Sequence, residues 1–97
     1  MNRKVCGALG LAQKAGKCKS GEFAVSQAMS AGKVALVVLD PEASEATRDR
    51  YRIDCEKHGI EYLEIAGAGE AIGKPERKVL GITDLNFVNL ILEASKE

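Results

Sequence analysis

Net charge is the first thing this chain lacks: among its 97 residues, 14 basic and 14 acidic side chains cancel. Total charge therefore does not announce a polyanionic partner. Long apolar runs are missing as well. The longest, Val34–Leu39, lies between Lys33 and Asp40, which is strand length and far below the roughly 20 residues a membrane helix needs. The opening Met1-Asn-Arg-Lys-Val-Cys-Gly7 has neither the apolar core nor the small-residue cleavage site of a signal peptide. A cytoplasmic protein without membrane partners is expected. Cysteines number three, Cys6, Cys18 and Cys55, widely spaced and without a C-x-x-C pair. That fits reduced thiols in a reducing compartment rather than a disulfide framework. Repeats, low-complexity stretches and linkers are absent, so one domain over residues 1–97 is expected.

What is present is segregated charge. Residues 1–33 carry Arg3, Lys4, Lys14, Lys17, Lys19 and Lys33 against Glu22 alone. Residues 40–70 carry nine acids against Arg48, Arg50, Arg52 and Lys57. Further on, Lys74, Arg77 and Lys78 crowd around one acid, Glu76. A bipolar molecule of this kind turns one face to phosphate and the other to water or a basic partner, although solvated surface charge gives the same counts.

Apolar periodicity orders the chain. Val5, Ala8, Leu9, Ala12 and Ala15 predict a helix over 5–15 that Gly16 stops. Ser20 is the expected N-cap of a second helix, with Glu22 in its first turn and Ala24, Val25, Ala28 and Met29 as its stripe; Gly32 ends it. Residues 35–39 are wholly apolar, as in a strand buried on both faces. Asp40-Pro41 breaks that strand, and Ser44 caps a helix running to Gly59. A strand over 60–65, a short helix over 69–72, a strand over 78–82 and a last helix capped by Thr83 or Asp84 complete the chain. Helices alternating with apolar strands predict a three-layer α-β-α sandwich of the α/β class.

Two motifs invite chemistry and decline it. Gly67-Ala-Gly69-Glu-Ala-Ile72-Gly73 follows a strand and opens a helix, as a dinucleotide fingerprint would. Its third glycine falls one place late and no βαβ unit has room to follow, so these are turn and helix-entry glycines. Cys55 and His58 lie three apart on one helix and would share a face. A nucleophile–base pair or half a metal site there lacks further ligands, the chain holding one histidine in all. No enzyme, metal or cofactor is expected.

The segment that does carry chemistry is Gln13-Lys14-Ala-Gly-Lys17-Cys-Lys19-Ser20-Gly21-Glu-Phe23. Lysines flank a turn that delivers a helix N-terminus at Ser20–Gly21, where free amides and the absence of a side chain suit an approaching phosphate. An ordinary capped helix with solvated lysines is the competing reading, and Phe23 is more often core than a base-stacking platform.

At these residues a resemblance enters. Gly7-Ala-Leu-Gly-Leu-Ala-Gln-Lys-Ala-Gly16-Lys17, Ser20-Gly21-Glu22, Ala31-Gly32-Lys33 with the strand to Leu39, Asp40-Pro-Glu-Ala-Ser44, and Glu70-Ala-Ile-Gly73-Lys74-Pro-Glu-Arg77 follow in collinear order. This pattern resembles the L-seven-Ae type of ribosomal and kink-turn RNA-binding proteins, in its small bacterial YlxQ-like branch. The resemblance implies a four-stranded mixed sheet within the sandwich, and no catalysis. It also implies a translation- or ribosome-associated ribonucleoprotein role, with structured RNA (ribosomal or another kink-turn RNA) and ribosomal proteins as partners. It places the RNA site at the start of the second helix and in the loop before the last strand, here Ser20–Gln27 and Gly73–Val79. With the neighbouring cations, the expected RNA-binding residues are Lys14, Lys17, Lys19, Ser20, Gly21, Glu22, Phe23, Gln27, Lys33, Gly73, Lys74, Arg77 and Lys78. The chain departs from the family where strong kink-turn binders carry Asn, Glu and Lys: the matching positions are Phe23, Ala24 and Gln27. Base-specific contacts are thereby reduced, while phosphate attraction remains. A protein–protein module on the same fold is the rival expectation.

Overall fold

The computed structural model describes residues 3–96; Met1, Asn2 and Glu97 of the expected 1–97 domain lie outside them. In chain order the elements are α1 (Arg3–Lys14), β1 (Cys18–Ser20), α2 (Glu22–Ser30), β2 (Leu36–Leu39), α3 (Glu45–His58), β3 (Glu61–Glu64), α4 (Ala68–Ala71), β4 (Val79–Ile82) and α5 (Leu85–Ser95). The four strands form one sheet in the order β1-β4-β2-β3. Only β2 and β3 run parallel; β4 is antiparallel to both of its neighbours, so the sheet is mixed.

Why the two central strands are wholly apolar follows from the layers. Leu36 and Val38 of β2 with Leu80 and Ile82 of β4 face one way, onto Val5, Leu9 and Ala12 of α1, Ala68 of α4, and Val88 and Ile91 of α5. Val37, Leu39 and Val79 face the other way, onto Val25, Ala28 and Met29 of α2 and Tyr51 and Cys55 of α3. Strand side chains alternate, so a strand covered on both faces has no position left for a polar residue. Each fully buried Leu, Ile or Val contributes on the order of 1.5–3 kcal/mol, which makes these strands the main stabilising element. The three-layer α-β-α sandwich is as expected from sequence.

The caps explain the boundaries. Ser44 Oγ accepts from the Thr47 amide at 3.1 Å. Asp84, rather than Thr83, caps α5, its Oδ1 accepting from the Asn86 and Phe87 amides. Ser20 does not cap α2. It lies in β1 opposite Leu80, and the N-cap is Gly21, which no side chain assists. The three-residue edge strand is the reason: pairing with β4 holds Ser20 extended, and the chain reverses at Gly21. The first helix ends at Lys14, leaving Ala15 exposed beyond it, and Ala24 of the expected α2 stripe is only half-buried.

Candidate nucleic-acid interface

Two segments distant in sequence meet at the end of β1. The Gly21 amide donates to the Val79 carbonyl at 2.9 Å. From the loop ahead of β4, Arg77 Nη1 donates to the Ser20 carbonyl at 3.4 Å. Gly21 has φ +91° and ψ 153°, a combination essentially restricted to glycine. A Cβ on it would stand 2.2 Å from Arg77 Nη1. Glycine thus supplies both the turn and the space in which the guanidinium lies. The α2 N-terminus carries no side-chain cap, and Gly21 and Glu22 at its start line a cleft with Glu76, Arg77, Lys78 and Val79, about 290 Å³ in volume. Uncapped amides and the helix dipole favour an anion there.

The loop from Gly73 to Lys78 is held by close backbone contact. Gly73 has φ +77° and starts it. A Cβ on Gly69 would fall 2.3 Å from the Arg77 carbonyl oxygen and 2.5 Å from that of Lys74. The glycine-rich stretch therefore serves helix entry and loop packing, not a nucleotide. Asp40, 3 % exposed, anchors the same corner. Its carboxylate accepts from the Glu42 amide at 2.8 Å and the Gly67 amide at 3.1 Å, and lies 3.9 Å from Lys78 Nζ. In sequence, Asp40 reads only as a strand terminator. An acid closing an apolar strand was the available signal for its bridging role.

Three cations at this end have acid partners. Arg50 meets Glu22 at 2.6 Å, Arg77 meets Glu76 at 3.5 Å, and Lys78 meets Asp40 and also Glu42 at 3.8 Å. The outcome differs at the opposite end of β1. There Thr83 donates through its amide and hydroxyl to the Lys17 carbonyl, at 2.9 and 3.3 Å. The Ala35 amide reaches Ile82, which brings Lys33 to that same end, and Lys14 closes α1 nearby in sequence. Lys14, Lys17, Lys19 and Lys33 form no ion pair among the described residues. Lys17 and Gly21 are about 13 Å apart along the strand. Lys19 and Lys33 share a depression with Gln27 of α2. Lys74 sits by the thiol of Cys18, which burial pushes up to about 11 against the opposing Lys74 charge.

The expected residues therefore divide. Ser20, Gly21, Glu22, Phe23, Arg77 and Lys78 gather at one end of β1, Lys14, Lys17 and Lys33 at the other, and Lys19 and Gln27 lie between. Phe23 corrects the core expectation: it is 76 % exposed, because Val25, Ala28 and Met29 occupy the sheet side of α2. Arg50 escaped the sequence reading. It stands on α3, where no spacing argument joins it to residue 22. Tyr51 beside it donates from its hydroxyl to the Glu22 carbonyl at 2.9 Å and is bonded to Ser26 Oγ at 2.8 Å, fixing α2 to α3. Cys55 and His58 do not pair: Cys55 is buried in the core, where desolvation pushes its thiol up to about 11, and His58 is exposed.

Residues 3–90 match the model of the ribosomal protein L7Ae/L30e/S12e/Gadd45 family. The chain belongs to this family. Among L7Ae-family relatives, the RNA-binding protein YlxQ of Bacillus subtilis (strain 168) is 33% identical over 87 residues, covering 87% of either chain. The solved structure of a protein with unknown function from Bacillus halodurans C superposes with a TM-score of 0.90 at 32% identity, over 97% of this chain and 98% of that one. The Giardia lamblia 15.5kD RNA binding protein superposes with a TM-score of 0.76 at 18% identity, over 97% and 83%, which is a likeness of fold. No helix among the described residues of this L7Ae-family chain is long and apolar enough to cross a membrane.

Proposed function

We propose that this L7Ae-family protein is a non-enzymatic, cytoplasmic RNA-binding domain that docks on kinked, structured RNA in association with the ribosome or translation. One observation carries the reading. The uncapped, glycine-led start of α2 and the basic loop before β4 form a single surface, with Arg77 laid over Gly21. The amides of α2 and the Arg77–Lys78 corner receive phosphate at a bend, and Lys14, Lys17, Lys19, Lys33 and Lys74 hold the backbone of the flanking stem. Phosphate contacts position the protein, with little direct base readout. Bent RNA suits such a surface because the regular A-form major groove is too narrow for side chains. The printed name of the YlxQ relative supports RNA as the partner class.

The test is a salt titration of binding to a kink-turn RNA with Lys17→Glu combined with Lys74→Glu. Each lost phosphate contact flattens the slope of log affinity against log salt by about one. An unchanged slope overturns the assigned surface. A second reading, a protein–protein module, is favoured by one observation: Arg50, Arg77 and Lys78 at the Gly21 end already have acid partners. A gel shift comparing a kink-turn RNA with a plain duplex separates the two, since the module binds neither.

A further inference from the structure

We propose that Phe23 and Arg50 form a stacking seat for one unpaired nucleobase beside the Gly21 cleft, an assignment that rests on the RNA reading above. Phe23 is the most open of the exposed large apolar side chains, at 76 %. An apolar ring this exposed, on the second residue of a helix, contributes little burial to the free protein. In the same depression, the Arg50 guanidinium lies 4.9 Å from the centre of the Tyr51 ring and donates from Nη2 to Glu22 Oε1 at 2.6 Å. These residues, with Ser26, Gln27 and Ser30, line a depression of about 440 Å³.

Its chemistry selects a flat neutral group. Glu22 already neutralises Arg50, so the seat exerts little pull on phosphate. A guanidinium fixed by a ring and a carboxylate is a ready-made plane that loses little entropy on stacking. The Phe23 ring is a second plane. Gln27 offers both a donor and an acceptor, whereas Ser26 is engaged with Tyr51. Two planar walls with an amide fit a nucleobase. Continuity with the phosphate contacts supports this choice. Glu22 also lines the Gly21 cleft, and Gln27 also lines the depression of Lys19 and Lys33. A strand crossing α2 thus places a base against Phe23 while its phosphates meet the unpaired lysines. Stacking tolerates any base, which suits a surface with few groups for reading base edges.

The probe is a hairpin RNA with a single bulged 2-aminopurine nucleotide, compared with the same hairpin abasic at that position. The full chain should bind the base-bearing RNA roughly tenfold more tightly, as expected for one stacked base, and quench its fluorescence. Phe23→Leu should bring the two RNAs to the same affinity and abolish quenching, and Phe23→Tyr should keep both effects. Arg50→Lys, which retains charge but not the plane, should reduce the ratio. Ile53→Ala, exposed elsewhere on α3, should leave the ratio intact. Equal binding of both RNAs by the unaltered protein, or a ratio that survives Phe23→Leu, overturns the seat alone. Binding to neither RNA overturns the seat and the RNA reading together, and a protein partner would then account for the exposed ring.

Discussion

The two ends of β1 show different ways of building a charged surface. At the Gly21 end, Arg50, Arg77 and Lys78 are each met by carboxylates, and the geometry is tightly specified by a left-handed glycine and the buried Asp40. At the Lys17 end, Lys14, Lys17 and Lys33 stand without ion pairs among the described residues. Lesson: counts of cations in a sequence do not measure the pull on phosphate. An ion-paired guanidinium contributes shape and direction, and an unpaired ammonium contributes long-range attraction that salt screens.

The largest effect is expected at Asp40. Asp40→Ala leaves the Glu42 and Gly67 amides without their partner and should cost about 3 kcal/mol. In a chain of this size that lowers the thermal midpoint by more than about 10 °C, measurable by calorimetry. A shift under about 3 °C would mean that this corner is not structurally anchored. Gly21→Ala comes next. It forces a Cβ into a φ of +91° and against Arg77, so about 1–3 kcal/mol of stability should be lost together with RNA affinity.

Charge substitutions then sharpen the contrast. Lys17→Glu with Lys33→Glu should flatten the salt dependence of RNA binding by about two. Arg77→Ala with Lys78→Ala should weaken binding yet flatten that slope by less, because carboxylates already offset part of their charge. The reverse pattern in a filter-binding titration would reverse the assignment of the two ends. The smallest effect belongs to Glu22→Gln. The Glu22 and Arg50 side chains are 53% and 52% exposed, and an exposed pair contributes less than about 1 kcal/mol.

The thiols provide a pH test of the core behind the site. Burial raises Cys18 and Cys55 from an ordinary 9.0 to about 11. The folded state therefore favours the neutral thiols. Their stabilisation is complete below about pH 9 and is lost as pH rises through 11. Urea midpoints should be flat between pH 7 and 8.5 and fall above pH 9, and Cys55 should resist alkylation at pH 8 until the protein unfolds.

Periodicity and caps by themselves determined the helices, the two central strands and the layering, because a fully apolar run such as Leu36–Leu39 is stable only when covered on both faces. The resemblance to the family, and not periodicity, joined Gly21 and the basic loop as one candidate surface. Tertiary structure decided the rest. The edge strand β1 is three residues long and exists by pairing with β4, which removed Ser20 from its expected cap. Asp40 and Arg50 meet Lys78 and Glu22, 38 and 28 residues away in the chain. Phe23 is exposed because its neighbours on α2 filled the core. Which cations keep their charge for RNA depends on carboxylates brought near by folding, and Coulomb attraction acts through space, where sequence spacing has no say.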